Sequence, residues 1–123
     1  MEQVALAQFE KQNYLNLETL RKNGKAVATP VWFVQDGSRL LVNTQDGSGK
    51  VKRIRNFPEV RVMPCTARGE ARGDWVPARA AIGTEEDAVT TDRLLTKKYG
   101  LQKFMFQLLG KLTRTRYAII VIE

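Results

Sequence analysis

Pro30 interrupts an otherwise β-prone run, AVATPVWFV, at residues 26–34. Proline has no backbone N–H, so a strand that holds it cannot complete its ladder there. Such a residue marks an edge, a bulge or a gap that something else approaches. The run is apolar nearly throughout, which for a strand implies cover on both faces. Asp36-Gly37 then turns the chain back, and residues 39–43 return as a further strand. Ser48-Gly49 opens a short basic helix over Gly49–Asn56, GKVKRIRN, which stops before Phe57-Pro58. Two strands therefore deliver a polar loop and a group of cations to one place.

The rest of the chain supplies partners for these strands. Residues 1–10 favour a short helix with Val4, Leu6 and Phe9 as its apolar positions. Tyr14–Leu20 alternates, with Leu15 and Leu17 on one face and Asn16 and Glu18 on the other, as a half-buried strand does. Asn23-Gly24 is a hairpin signal, because both residues tolerate positive φ. Residues 60–66 read as a strand with Val60 and Val62 facing one way, and residues 67–74, ARGEARGD, as a polar loop. Residues 75–83 form another strand, with Val76, Ala78, Ala80 and Ile82 on one face. Thr84 is a helix N-cap followed by Glu85, Glu86 and Asp87, and that helix ends at Gly100. Leu101, Phe104, Met105, Leu108, Leu109 and Leu112 repeat at helical spacing, and Tyr117–Ile122 closes the chain as a strand. Six short strands, early hairpins and late helices define an α+β protein on a small antiparallel barrel or strongly curled sheet. With 123 residues, one domain spanning 1–123 is expected.

The basic helix carries the most specific chemistry. At about 100° per residue, Val51, Ile54 and Phe57 span an apolar arc that includes Lys50, whereas Lys52, Arg53 and Arg55 fall outside it. A lysine turned inward at a helix N-terminus needs an anion, or its burial is costly. Free N–H groups at that end favour the same anion. The local design is thus a phosphate site, with Lys50 as fixed charge, Thr44 and Ser48 as hydroxyl donors, and Gly49 allowing close backbone approach. Alternatively, Lys50 snorkels to water and KVKRIR is a solvated face. The strand residues Thr29, Pro30, Val31 and Trp32 offer either a gap for a planar ring or a simple edge with Trp32 and Phe33 in the core.

Composition removes other chemistries. The chain has no histidine, and so lacks the commonest metal ligand and the commonest general base near neutral pH. A single cysteine, Cys65, excludes a disulfide framework and reads as a small buried hydrophobe. No metal site is expected, and no side chain is assigned a catalytic proton transfer. The net charge of +7 implies an anionic partner. No apolar run reaches the ~20 residues that cross a bilayer, and MEQVALAQFEKQ lacks the pattern of a signal peptide, so a cytoplasmic location is expected. Phe106 lies off the stripe of 101–112 and marks either an interface or a satellite core contact; Arg114 and Arg116 read as solvated surface.

As an ordered set, YLNLETLRKNGKAVATPVWF (residues 14–33), NTQDGSGKVKRIRN (43–56) and FPEVRVMPC (57–65) resemble the pyridoxamine 5′-phosphate oxidase-like split β-barrel superfamily. The chain is most similar to its small F420-dependent branch. The resemblance implies a six-stranded antiparallel split β-barrel with short peripheral helices, a homodimer, and two cofactor sites at the subunit seam. It implies that Thr44, Ser48, Lys50 and Arg53 hold the phosphate of FMN or coenzyme F420, and that Thr29, Pro30, Val31 and Trp32 line the ring. Hydride transfer to a small-molecule substrate then belongs to the cofactor. The chain departs from pyridoxamine-phosphate oxidases proper, because Thr29 stands where those enzymes carry an arginine for the substrate phosphate. A flavin- or deazaflavin-dependent oxidoreductase is therefore the first functional expectation. A non-catalytic carrier or sensor of the same fold is the second. A small basic barrel for single-stranded nucleic acid is disfavoured, because aromatics and cations are mostly separated in the sequence.

Overall fold

The computed structural model describes residues 1, 3–100 and 117–123. The expected stripe of residues 101–112, with Phe106, Arg114 and Arg116, lies outside the described residues. The elements are α1 (Gln3–Ala7), β1 (Tyr14–Leu20), β2 (Ala26–Trp32), β3 (Val34–Asp36), β4 (Arg39–Gln45), α2 (Gly49–Asn56), β5 (Glu59–Cys65), β6 (Val76–Ile82), α3 (Glu85–Tyr99) and β7 (Tyr117–Ile122). The strands form one antiparallel sheet in the order β2-β1-β5-β6-β7-β4-β3.

The sheet curls so that inward residues meet in one core. Leu15 and Leu17 of β1, Leu40 and Val42 of β4, and Ile120 and Ile122 of β7 are fully buried and belong to the same cluster. The period-two alternation predicted for β1 and for Val76 to Ile82 is the one that turns these side chains inward. A second cluster, built on Val34, Leu41, Leu95, Ile119 and Val121, seats α3 against the outer face of β3, β4 and β7. Thr84 caps α3 in a reciprocal capping box with Asp87, and Gly100 ends it. This is the α+β split barrel expected from the sequence.

Two expectations need correction. The run over residues 26–34 is not one strand with two covered faces. It breaks at Phe33 into β2 and β3, so the sheet has seven strands rather than six. Moreover β2 is an edge that pairs only with β1 and alternates between half-buried and exposed positions. Its apolar composition reflects a split rather than a sandwich: β2 and β3 are the two edges of the sheet, joined through one residue, and β2 approaches β4 across the opening. Pro30 occupies the edge strand, where a missing N–H is tolerated.

The break at Phe33 has a distant cause. The Phe33 N–H donates to Tyr99 Oη at 3.2 Å, and that hydroxyl lies 2.8 Å from the Phe33 carbonyl and 2.7 Å from the Asn13 carbonyl. Lys98 Nζ also donates to the Phe33 carbonyl, at 2.8 Å. The backbone groups of Phe33 are thus satisfied by the end of α3 instead of by a neighbouring strand. Trp32 stacks on Tyr99 with ring centroids 4.4 Å apart.

The polar face of β1 is covered as well. Asn16 is buried, and its Nδ2 donates to the Gly69 carbonyl at 2.9 Å. Gly69 has φ +87°, a backbone conformation that favours glycine. The loop of residues 67–74 is therefore tied onto the barrel, with Gln8 and Asp74 hydrogen-bonding reciprocally at its far end.

Candidate anion and ring site at the split

Helix α2 begins at Ser48, whose Oγ accepts the Val51 N–H at 3.5 Å. Val51 and Ile54 are buried and anchor the helix against β1 and β6. Lys52 and Arg55 are exposed, while Lys50 and Arg53 are half-buried. Arg53, outside the apolar arc on the helical wheel, is drawn inward because its Nε donates to Thr19 Oγ1 at 2.6 Å.

These two cations repel each other, and neither has a counter-charge among the described residues. Every ion pair among the described residues involves Arg39, Arg61 or Arg79; neither Lys50 nor Arg53 is in one. Burial, and then the charge of Arg53, hold the Lys50 ammonium below the usual lysine range. Burial, and then the charge of Arg21, lower Arg53. Three cations thus share one corner of the molecule, two of them partly desolvated.

Hydroxyls line the same inner surface. Thr44 is buried and continues the inward series of Leu40 and Val42 along β4. Thr19 is fully buried and continues that of Leu15 and Leu17 along β1. Thr29 stands opposite Leu17, one inward position along β2 from Val27, the partner of Thr19. That places Thr29 and Thr19 as diagonal neighbours, about 7–8 Å apart. The Thr29 hydroxyl oxygen is buried and has no hydrogen-bond partner among the described residues. A buried hydroxyl costs free energy unless it is paired, and the described residues leave that of Thr29 unpaired.

The four residues from Thr29 to Trp32 do not share a face. Thr29 and Val31 point inward with Leu17 and Leu15, whereas Pro30 is exposed and Trp32 lies on the outer side against Tyr99. What the four have in common is the free backbone edge of β2. From Thr19, beside Arg53, to Tyr14, opposite Trp32, β1 runs five residues, or roughly 17 Å. The free edge of β2 runs alongside for the same length.

Sequence reasoning missed Thr19 and Tyr99. Thr19 was detectable as a polar residue in an inward position of an alternating strand. Tyr99 left no local signal, because its role depends on a contact across 66 residues of chain. Among the described residues there is no group of three or more histidine, cysteine or carboxylate side chains that could hold a metal. Cys65 is buried, and burial pushes its thiol up, away from the reactive thiolate.

The family model for pyridoxamine 5′-phosphate oxidase matches residues 1–108, and the chain belongs to that family. Its fold is that of the split-barrel superfamily, and solved structures agree. An F420-H2-dependent reductase is 14% identical with a TM-score of 0.67, over 90% of this chain and 94% of the other. HutZ, a heme storage protein from Vibrio cholerae, is 14% identical with a TM-score of 0.70, over 99% of this chain and 88% of the other. A chain described as a domain-swapped dimer is 15% identical with a TM-score of 0.61, over 90% of this chain and 80% of the other. No functionally curated protein matches the sequence. No helix among the described residues is long and apolar enough to cross a membrane.

Proposed function

We propose that residues 1–123 form one cofactor-binding domain of a cytoplasmic oxidoreductase that uses FMN or coenzyme F420. The observation that carries this reading is the half-buried pair of Lys50, in the first turn of α2, and Arg53, nearly one turn on, with no counter-charge among the described residues. Two like charges with no carboxylate are stabilised by a phosphate, whose oxygens accept charge-assisted hydrogen bonds. Ser48, Thr44 and the first N–H groups of α2 complete that cradle, and Gly49, bare of a side chain, lets the Arg53 guanidinium lie against the first turn. The unpartnered Thr29 hydroxyl fits a polar atom of the ring, with Val31 packing beneath it and Pro30 and Trp32 forming the outer rim of the β2 edge.

When bound, either cofactor supplies the hydride chemistry. The protein holds the phosphate, orients the ring along the free edge and excludes water, while a small-molecule substrate takes the open side. A homodimer closes that side, since an edge strand beside a split barrel leaves one flank of the ligand uncovered. The fold shared with a domain-swapped dimer supports this arrangement.

The test is titration of the purified protein with FMN and with F420, followed by absorbance, alongside the phosphate-free forms of each. One of the two should bind at one equivalent per protomer, roughly 10- to 100-fold more tightly than its phosphate-free form. Equal affinity with and without the phosphate would overturn the assignment of α2.

A second reading keeps the site and drops the turnover, and the likeness to a heme storage protein favours it. A chain without histidine cannot ligate heme through imidazole, so this reading too falls on the phosphate-bearing ring compounds. Oxidation of the bound reduced cofactor by small-molecule acceptors, at a rate above that of the free cofactor, distinguishes enzyme from carrier.

A further inference from the structure

Arg53 sits where the helical wheel does not put it, and two features account for that. The first is the Thr19 hydroxyl, fully buried on β1, which accepts the Arg53 Nε–H at 2.6 Å. The second is the missing side chain at Gly49. A Cβ built there would stand 2.5 Å from Arg53 Nη1 and 3.4 Å from its Cζ. The space above Gly49 is therefore the seat of the guanidinium. Gly49 does not have a positive φ, so its backbone does not require glycine; the Arg53 side chain does.

We propose that Thr19 is a positioning residue that, with the bare Cα of Gly49, aims the Arg53 guanidinium into the anion site beside Lys50. The Nε–H is committed to the protein, which leaves the two Nη groups to approach an anion as a fork. Without Thr19, repulsion from Lys50 and Arg21 favours a guanidinium swung out to water. The proposal rests on the reading of α2 as a phosphate site, and the experiment separates the two.

The 123-residue protein is compared as wild type, Thr19→Val, Thr19→Ser, Gly49→Ala, Arg53→Ala and the double variant Thr19→Val/Arg53→Ala. FMN and F420 are the probes, with riboflavin as the phosphate-free control. Thr19→Val preserves the volume, and Gly49→Ala displaces only the far end of a flexible side chain, so both should fold. Each is expected to weaken binding of the phosphate-bearing cofactor roughly tenfold while leaving riboflavin unchanged. Thr19→Ser should restore affinity, and Thr19→Val should add nothing in the Arg53→Ala background. In the ligand-free protein, the Arg53 Nε–H resonance should be protected from solvent exchange in wild type and Thr19→Ser, and unprotected in Thr19→Val. If Arg53→Ala weakens binding but Thr19→Val does not, or if the resonance stays protected in Thr19→Val, the positioning role is wrong and the phosphate site stands. If Arg53→Ala, and Lys50→Ala measured beside it, both bind FMN and F420 as wild type does, the phosphate site itself is wrong and the proposal falls with it.

Discussion

Lys50 and Lys98 are both partly withdrawn from water, both lack a carboxylate among the described residues, and both have a lowered pKa for the same first reason, burial of the ammonium. Their surroundings differ. Although Lys98 as a residue is exposed, its Nζ donates to the Phe33 carbonyl at 2.8 Å and sits 3.7 Å from the Phe33 ring centroid. The protein itself supplies its acceptor and its π face. At Lys50 the charge that acts is that of Arg53, and repulsion adds to the burial. A cation satisfied by backbone and aromatic rings is part of the scaffold. One that faces another cation has no counter-charge among the described residues, and our proposal gives it a phosphate.

The largest expected effect falls on the unsatisfied lysine. Lys50→Ala should weaken FMN or F420 binding roughly 10- to 100-fold while the ligand-free melting temperature holds or rises, because a desolvated like charge is removed. Absorbance titration and thermal melts check it; a lower melting temperature with unchanged affinity would erase the distinction between the two lysines.

The clamp at Phe33 should behave in the opposite way. Tyr99→Phe keeps the stack on Trp32 but removes the hydroxyl that serves the Phe33 N–H, so stability should fall by about 1–2 kcal/mol. Chemical denaturation followed by tryptophan fluorescence measures it, and a loss below a few tenths would mean that the strand break does not depend on this hydroxyl.

A smaller effect concerns pH. Burial lowers Lys98 from 10.5 to about 8, below its value in the unfolded chain. Between about 8 and 10.5 the unfolded chain therefore binds more protons at this site than the folded one, and stability should rise with pH. The penalty is borne in full below pH 8. Burial raises Tyr99 above its ordinary 10, so beyond pH 10 the unfolded chain loses that proton first and stability falls. The rise from pH 8 should be largely lost in Lys98→Met, leaving the contribution of Lys50, which burial also lowers, and denaturant midpoints across that range can verify it; an undiminished rise in the variant would assign it to another group.

Smallest of all, the Arg79–Glu59 pair is exposed on both sides at 3.5 Å. Glu59→Gln should alter stability by less than about 0.5 kcal/mol and leave cofactor binding unchanged. A larger change would show that exposed charges matter here as much as the half-buried ones.

Much of the barrel was legible in local pattern. Alternation in β1 and β6, the cap at Thr84, the stop at Gly100 and the bounds of α2 all follow from residues within a turn or two of one another. The same is true of Lys50, which lies in the apolar arc of its own helix. Arg53 could not be placed that way, because Thr19, which turns it inward, is 34 residues earlier. Nor could the division of Thr29 to Trp32 between two faces be seen while residues 26–34 read as a strand covered on both sides.

The sequence alone thus determined the α+β character, the helix with its cations, and the proline that bars the run over residues 26–34 from the middle of a sheet. These depend on backbone chemistry and on periodicities of 2 and 3.6 residues, which need no distant partner. Only the tertiary structure decided where that run splits, which edge it leaves free, and which of four cations on α2 face inward. Those outcomes depend on Tyr99 meeting Phe33 and Thr19 meeting Arg53, and contacts between distant parts of the chain are fixed by packing rather than by local spacing.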